Sequence, residues 1–212
     1  MHAVILLAGY GSRLSRDDLP HKSLLPFDGE TLLSRHLDCL QTLGMERTHL
    51  VLGHNKEAVK EYVHGLNLKM DCHFIDNDLY RTTGNTLSVV MGLRHCHGDV
   101  LILDGDVLYP QSLFYNYVKN STPTSFALIP SDIDNTESSK VLIRSNGTIE
   151  AFVTKRDLTW KRKPVSNSVE KPSAFSNFQP KTAKILLSIM KNMNPIALKS
   201  YGKSPLLNLP NM

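Results

Sequence analysis

Apolar runs and helical spacings alternate along the first 150 residues. "AVILL" (Ala3–Leu7) is a continuous apolar run stopped by glycine, the pattern of a strand buried on both faces. "ETLLSRHLDCLQTLGM" places Leu32, Leu33, Leu37, Leu40 and Leu43 on one helical face, with Gly44 as its C-terminal cap. "THLVLG" predicts a second strand, "KEAVKEYVHGL" a second helix and "CHFIDN" a third strand. "GNTLSVVMGLRHC" predicts a helix, and "DVLILDGD" (Asp99–Asp106) another buried strand that ends in acid. "SLFYNYVKN" is a helix, "TSFALIP" a strand, and "KVLIRSNGTIEAFV" a hairpin turning at Asn146–Gly147. Strand–helix alternation of this kind predicts an α/β fold around a mostly parallel sheet. In such sheets ligands bind beyond the carboxyl ends of the strands, so the loops after Leu7 and after Leu103 are the places to look for chemistry.

Composition narrows the picture without changing it. The 212 residues suit one domain of ordinary size, and 41% apolar with 21% charged residues read as soluble and globular. No apolar run approaches the roughly 18 residues of a membrane span, and "MHAVILLAGYG" lacks a cationic leader, so neither a membrane segment nor a signal peptide is expected. Cys39, Cys72 and Cys96 are scattered and form no CxxC pair, which predicts free thiols in a cytoplasmic setting. The net charge of +4 hides an asymmetry: residues 1–150 hold 13 Lys/Arg against 18 Asp/Glu, and residues 151–212 hold 11 against 2.

The loop after the first strand, "LLAGYGSRLSRDDLPHKSLLPF" (Leu6–Phe27), carries the densest chemistry. Gly9 and Gly11 let the backbone approach a ligand and aim N–H groups at an anion. Arg13 offers a planar fork for phosphate oxygens and Lys22 a compact point charge, on a segment stiffened by Pro20 and Pro26. Taken alone, these residues also fit an ordinary βα turn with solvated charges. A dehydrogenase-type dinucleotide site is excluded, because it needs a third glycine and a ribose-binding acid about 20 positions on. At the second loop, "ILDGDVLY" sets Asp104 and Asp106 around Gly105, hard oxygen donors of the kind Mg²⁺ takes. "HCHGD" (His95–Asp99) holds metal-ligating side chains but no partner at zinc spacing, so it reads as a solvated helix end. The helix "KEAVKEYVHG" reads as a plain solvated face.

Taken together, "LLAGYGSRL…PHKSLLPF" resembles the nucleotidyltransferase signature of the sugar-nucleotide pyrophosphorylases and their cytidylyltransferase relatives, L-A-A-G-x-G-x-R-L followed by P-K-x-L-[LV]-P. The resemblance implies a Rossmann-like three-layer nucleotidyltransferase fold with a mostly parallel mixed sheet. It places Leu7, Ala8, Gly9, Gly11 and Ser12 in the nucleotide loop, Arg13 at the signature arginine and Lys22 at the signature lysine. Leu7 replaces the usual alanine, and His21 is inserted between the proline and the lysine. The "GD" of the family matches Asp106, implied to hold Mg²⁺ and to act in catalysis with Arg13 and Lys22; Asp104 stands behind it. Gly84 and Asn85 match the loop over nucleobase and ribose, although Asn85 fits equally as a helix N-cap. "NTLSVVMGL" and "LILDGDVLYPQSLF" are more similar to the small phosphocholine-type cytidylyltransferases than to the hexose-1-phosphate enzymes.

From about Lys155 the pattern changes, and the segments "TWKRKPVSNSVEKPSAFSNFQPK" and beyond are rich in Lys, Asn, Ser and Pro. The family implies a strand like "VGIFKFS", a helix and a second metal-binding aspartate there, and none is written in this frame. Read one frame over, the codons for Lys171–Pro180 can encode "TVSIFKFSA". The expected organisation is therefore a nucleotidyltransferase domain over 1–155 and an atypical basic tail over 156–212, out of frame and poorly ordered. A tail for nucleic acid or a membrane surface is the rival, weakened because its few aromatics are not interleaved with the cations. The resemblance implies transfer of a nucleotidyl group, CMP first, from a nucleoside triphosphate (CTP favoured) to a small phosphorylated acceptor such as phosphocholine or a phosphonate. UTP or dTTP with a hexose 1-phosphate is the second expectation, and a non-catalytic nucleotide-binding remnant the third. Neither membrane insertion nor nucleic acid is expected.

Overall fold

The computed structural model describes residues 1–11, 20–120, 125–131, 140–143, 149–153 and 182–193. In chain order these form β1 (His2–Leu7), a 3₁₀ turn (Lys22–Leu24), the short strands β2 (Pro26–Phe27) and β3 (Glu30–Thr31), α1 (Leu32–Thr42), β4 (Arg47–Leu52), α2 (Lys56–His64), β5 (Asp71–Asp76), α3 (Asn85–Leu93), β6 (Gly98–Asp104) and α4 (Gln111–Asn120). β7 (Ser125–Ser131), β8 (Lys140–Ile143), β9 (Ile149–Val153) and β10 (Thr182–Met193) follow. The chain divides into two compact units, Met1–Phe126 with Leu187–Met212, and Ala127–Leu186. The turn expected at Asn146–Gly147 lies outside the described residues, as does the tail from residue 156 apart from β10.

In the first unit β1 pairs in parallel with β4 and β6, and β4 in parallel with β5. The parallel strands therefore run in the order β5–β4–β1–β6, and Leu187–Met193 of β10 adds antiparallel to β6 with Leu187 opposite Leu103. This is the mostly parallel mixed sheet that the alternation of elements predicted. The order places β1 at a topological switch: α1 carries the chain to one side of it, and α3 carries it back across to the other. The carboxyl ends of β1 and β6 thus face the crevice between the two directions of winding. In the second unit β8 and β9 form the expected antiparallel pair, Val141 opposite Phe152.

Burial follows from that position. Ala3, Val4, Ile5 and Leu7 of β1 and Val100, Leu101 and Leu103 of β6 are buried, because both strands have neighbours at each edge and cover on both faces. α1 opens with a capping box between Thr31 and Ser34 and turns Leu33, Leu37 and Leu40 into the core, each worth about 1.5–3 kcal/mol of burial. It ends as expected at Gly44, which lies at φ +73 while the Met45 N–H bonds the Leu40 carbonyl at 3.1 Å. α3 covers the other face, where Val4, Val51, Ile75, Leu93, Cys96, Val100 and Ile102 form one apolar cluster.

Candidate active site

The loop after β1 and the loop after β6 meet through one lysine. Lys22 lies along the glycine loop: a Cβ on Gly9 would sit 3.1 Å from its Nζ, and one on Gly11 would sit 3.4 Å from its Cδ. Its Nζ donates to Asp106 Oδ2 at 2.8 Å. The two side chains remain 21% and 37% exposed, so the pair is wet enough to open for a ligand. Gly105 makes this approach possible. Its N–H bonds the Leu6 carbonyl at 3.1 Å, and a Cβ there would lie 2.3 Å from Leu7 Cδ2 and 2.9 Å from that carbonyl oxygen. Only a residue without a side chain lets the acidic loop lie this close to the end of β1.

Two buried histidines hold the two halves of the site. His21, the residue inserted into the signature, is 2% exposed. Its Nε2 donates to the Leu7 carbonyl at 2.9 Å, while its Nδ1 accepts from the Ser23 N–H at 3.2 Å and lies 2.8 Å from Ser23 Oγ. A carbonyl only accepts, so Nε2 carries the proton, and burial pushes the imidazole down to about 4. The ring therefore ties the lysine segment to the end of β1, next to the glycine loop. Asn55, which precedes α2, donates from Nδ2 to the Pro20 carbonyl and fixes the same segment from the β4 side. His36 of α1 does the matching work for the acidic loop, donating from Nε2 to the Val107 carbonyl at 2.8 Å and stacking on Tyr109 at 5.2 Å. Burial lowers its pKa as well.

Leu7 and Ala8 are buried at the end of β1, and the Ala8 carbonyl accepts from the His54 N–H at 3.2 Å, which leaves half-buried Gly9 and Gly11 and the exposed Tyr10 as the rim of the loop. Gly84 and Asn85 lie at the amino end of α3 and are exposed. Gly84, not Asn85, is the N-cap, and no side chain caps the helix. The capping role considered for Asn85 is thereby replaced, because the chain enters the helix one residue earlier. Ser12 and Arg13 lie outside the described residues.

Sequence reasoning missed an aromatic group beside the loop. Tyr10, 55% exposed, meets the His54 ring edge-on at 4.4 Å, and the Arg81 guanidinium lies 5.3 Å from the Tyr10 ring and 5.5 Å from that of Tyr80. Only the placement of Tyr10 between two glycines hinted at it. α2 is also not a plain solvated face. Lys56 Nζ reaches Asp76 and Asp78 at 2.9 Å each, and Lys60 Nζ reaches Asp76 at 3.2 Å. Burial alone would raise the Asp76 carboxyl, but the two ammonium contacts outweigh it and hold it below its ordinary value.

With this geometry in place, the kinship of the chain follows. Residues 3–148 match the MobA-like NTP transferase domain, and the chain belongs to that family. It is 36% identical over 110 residues to the CMP-5'-(3-aminopropyl)phosphonate synthase of Streptomyces rubellomurinus, a stretch covering 51% of this chain and 18% of that protein. It is 32% identical over 162 residues to the bifunctional protein GlmU of Pseudomonas aeruginosa, covering 75% of this chain and 34% of GlmU. The chain thus spans well under half the length of these curated relatives. Among solved structures, the inositol-1-phosphate CTP transferase from T. maritima superposes with a TM-score of 0.62 at 20% identity, over 90% of this chain and 70% of that one. That likeness is one of fold, and it agrees with the α/β nucleotidyltransferase architecture expected from the alternation of elements and from the signature. Among the described residues no helix is long and apolar enough to cross a membrane.

Proposed function

We propose that this domain transfers a nucleotidyl group, CMP first, from a nucleoside triphosphate to a small phosphomonoester or phosphonate and releases pyrophosphate. The observation that carries the reading is the convergence of Lys22 and Asp106 over the glycine loop, at 2.8 Å, on the switch point of the sheet. In the reaction an oxygen of the acceptor phosphate or phosphonate attacks the α-phosphorus, the bond to the bridging oxygen breaks, and pyrophosphate leaves with that electron pair. Such chemistry is positioning and charge neutralisation rather than proton transfer. The amides of Gly9–Gly11 cradle non-bridging oxygens, and Lys22 moves from Asp106 to the triphosphate. Arg13 adds a second cation to the departing group, a role that rests on the resemblance alone.

The donor set fits Mg²⁺: Asp106 already holds a cation in the form of the Lys22 ammonium, and Asp104 stands two residues away at the end of β6. Bound there, Mg²⁺ would neutralise charge shared between the α-phosphate and the acceptor phosphate. Gly84 and Asn85, with the exposed ring of Tyr10, supply the surface for ribose and base. Support for CTP comes from the phosphonate synthase and from the inositol-1-phosphate CTP transferase fold, while the match to GlmU runs over more of this chain.

Phosphorus NMR of the purified chain with each triphosphate and acceptor tests the choice. A new diphosphate linkage with CTP and phosphocholine or an alkylphosphonate supports the proposal. A product only from UTP or dTTP with a hexose 1-phosphate moves the substrate class. Triphosphate binding without product from any pair makes the chain a nucleotide-binding remnant.

A further inference from the structure

The far end of the sheet carries a second cluster. His2 is two residues from Val4, His49 stands opposite Val4, and His73 stands opposite His49, so the three histidines share one face of β1, β4 and β5. That face is the one covered by α3, and the histidines continue it where the apolar cluster of Val4, Val51 and Ile75 stops. After α3 the chain turns with the Cys96 N–H on the Leu93 carbonyl at 3.1 Å, which brings Cys96, 1% exposed, into the same cluster. "HCH" is therefore not simply a solvated helix end. Its partners come from β1 and β4, too far away in the chain for any spacing rule to show.

We propose that His2, His49 and Cys96 form a binding site for a borderline-soft transition-metal cation, Zn²⁺ in the first instance. One ligating atom from each lies within 4.8 Å of the other two. His2 Nδ1 and His49 Nε2 are 3.2 Å apart. Two nitrogens bound to Zn²⁺ at 2.0–2.1 Å in a tetrahedron stand about 3.3 Å apart, so these two need almost no adjustment. The other nitrogen of His49, Nδ1, lies 3.2 Å from His73 Nδ1. With Nε2 on the metal, Nδ1–H donates to His73, the outer contact that orients most metal-bound histidines. On binding, the Cys96 thiol gives up its hydrogen bond to the Gly92 carbonyl, 3.4 Å long, and its proton leaves to solvent as the sulfur–metal bond forms. The fourth position is open to water or to His97, whose ring stands 4.4 Å edge-on from that of His2.

The thiol and imidazole donors separate this site chemically from the carboxylates beside Lys22, which suit Mg²⁺. It is also remote from them. Leu7 lies five residues further along β1 than His2, about 17 Å of strand. A cation here would clamp the start of β1 to β4 and to the exit of α3, so its role is structural and independent of the proposed transfer reaction.

The full chain titrated with Co²⁺, an optical stand-in for Zn²⁺, tests the site. The expected result is one Co²⁺ per chain, with tetrahedral visible bands and a thiolate-to-cobalt charge-transfer band, both removed by an equivalent of Zn²⁺. Cys96→Ala should abolish the charge-transfer band, whereas Cys39→Ala and Cys72→Ala keep it. If Cys96→Ala fails to fold, His2→Ala, at a half-buried position, should weaken Co²⁺ at least about tenfold in a folded chain. A folded wild-type chain without the band overturns the proposal, as does a band that survives Cys96→Ala or an affinity unchanged by His2→Ala.

Discussion

Lys22 Nζ stands 2.8 Å from Asp106 Oδ2 across 84 residues of chain, and the lysine side chain lies on the glycines that follow β1. The pair joins the loop of one strand to that of its neighbour at the switch point of the sheet. Because both partners are partly solvated, the contact is worth no more than about 1 kcal/mol. Its place in the fold argues for a task beyond stability.

Lys22→Ala should therefore leave thermal stability within about 1 kcal/mol of the wild type while weakening triphosphate binding and abolishing turnover. Lys22→Arg should not rescue, since a planar fork cannot occupy the narrow space over Gly9. Thermal unfolding and calorimetric titration with Mg·CTP check both statements.

Asp106→Asn removes the anionic donor but keeps the size of the side chain. The expected outcome is a folded protein whose turnover no longer responds to Mg²⁺, with a rate lower by at least about a hundredfold. Initial rates across a Mg²⁺ series measure it.

Gly105→Ala would drive a methyl to 2.3 Å from Leu7 Cδ2 and 2.9 Å from the Leu6 carbonyl oxygen. A loss of about 1–3 kcal/mol is expected from the overpacking, together with displacement of Asp106 and weaker metal response. At Gly84 nothing lies within 4 Å of an added Cβ, so Gly84→Ala should unfold close to the wild-type midpoint. Denaturant melts of the two variants make the comparison.

The pH response follows from His21. Its imidazole is held neutral by burial and titrates at about 4 in the folded chain against an ordinary 6.5. The unfolded chain takes up the proton first as pH falls, so the stabilisation is complete above 6.5 and is lost between there and about 4. Its full size is on the order of 3 kcal/mol. Burial, with neighbouring His2, His73 and His95, pushes His49 down to about 4 as well, and it acts in the same window. His21→Gln should remove part of this acid sensitivity, and His21→Ala should in addition loosen Lys22 by leaving the Leu7 carbonyl and the Ser23 N–H without their partner. Denaturant melts at pH values from 4 to 8, read beside the His21 ring resonances by NMR, test the sign and the window.

The elements that were legible in the sequence are those set by local pattern. β1, α1, β4, α2, β5, α3 and β6 appear where apolar runs and helical spacing put them, because periodicity and caps act over a few residues. The short hairpin of β2 and β3 went unread although its turn, Asp28 at φ +49 and Gly29 at φ +80, uses the commonest short hairpin signal. At the site, residue types were legible and their grouping was not. Lys22 and Asp106 could each be assigned from a motif, but their contact depends on the pairing of β1 with β6. His21 looked like an irregularity of the signature, and only its bond to the Leu7 carbonyl shows it as the anchor of the lysine segment. His2 and His49 gave no pattern at all, since 47 residues separate two rings that the sheet brings together.

The deciding measurement is acceptor-dependent exchange of radiolabelled pyrophosphate into CTP, run side by side on the wild-type chain and on Lys22→Ala at matched folded concentration. Exchange by the wild type that falls at least about a hundredfold in the variant is the predicted result. Exchange at the same rate in both would contradict the assignment of Lys22 and, with it, of the site.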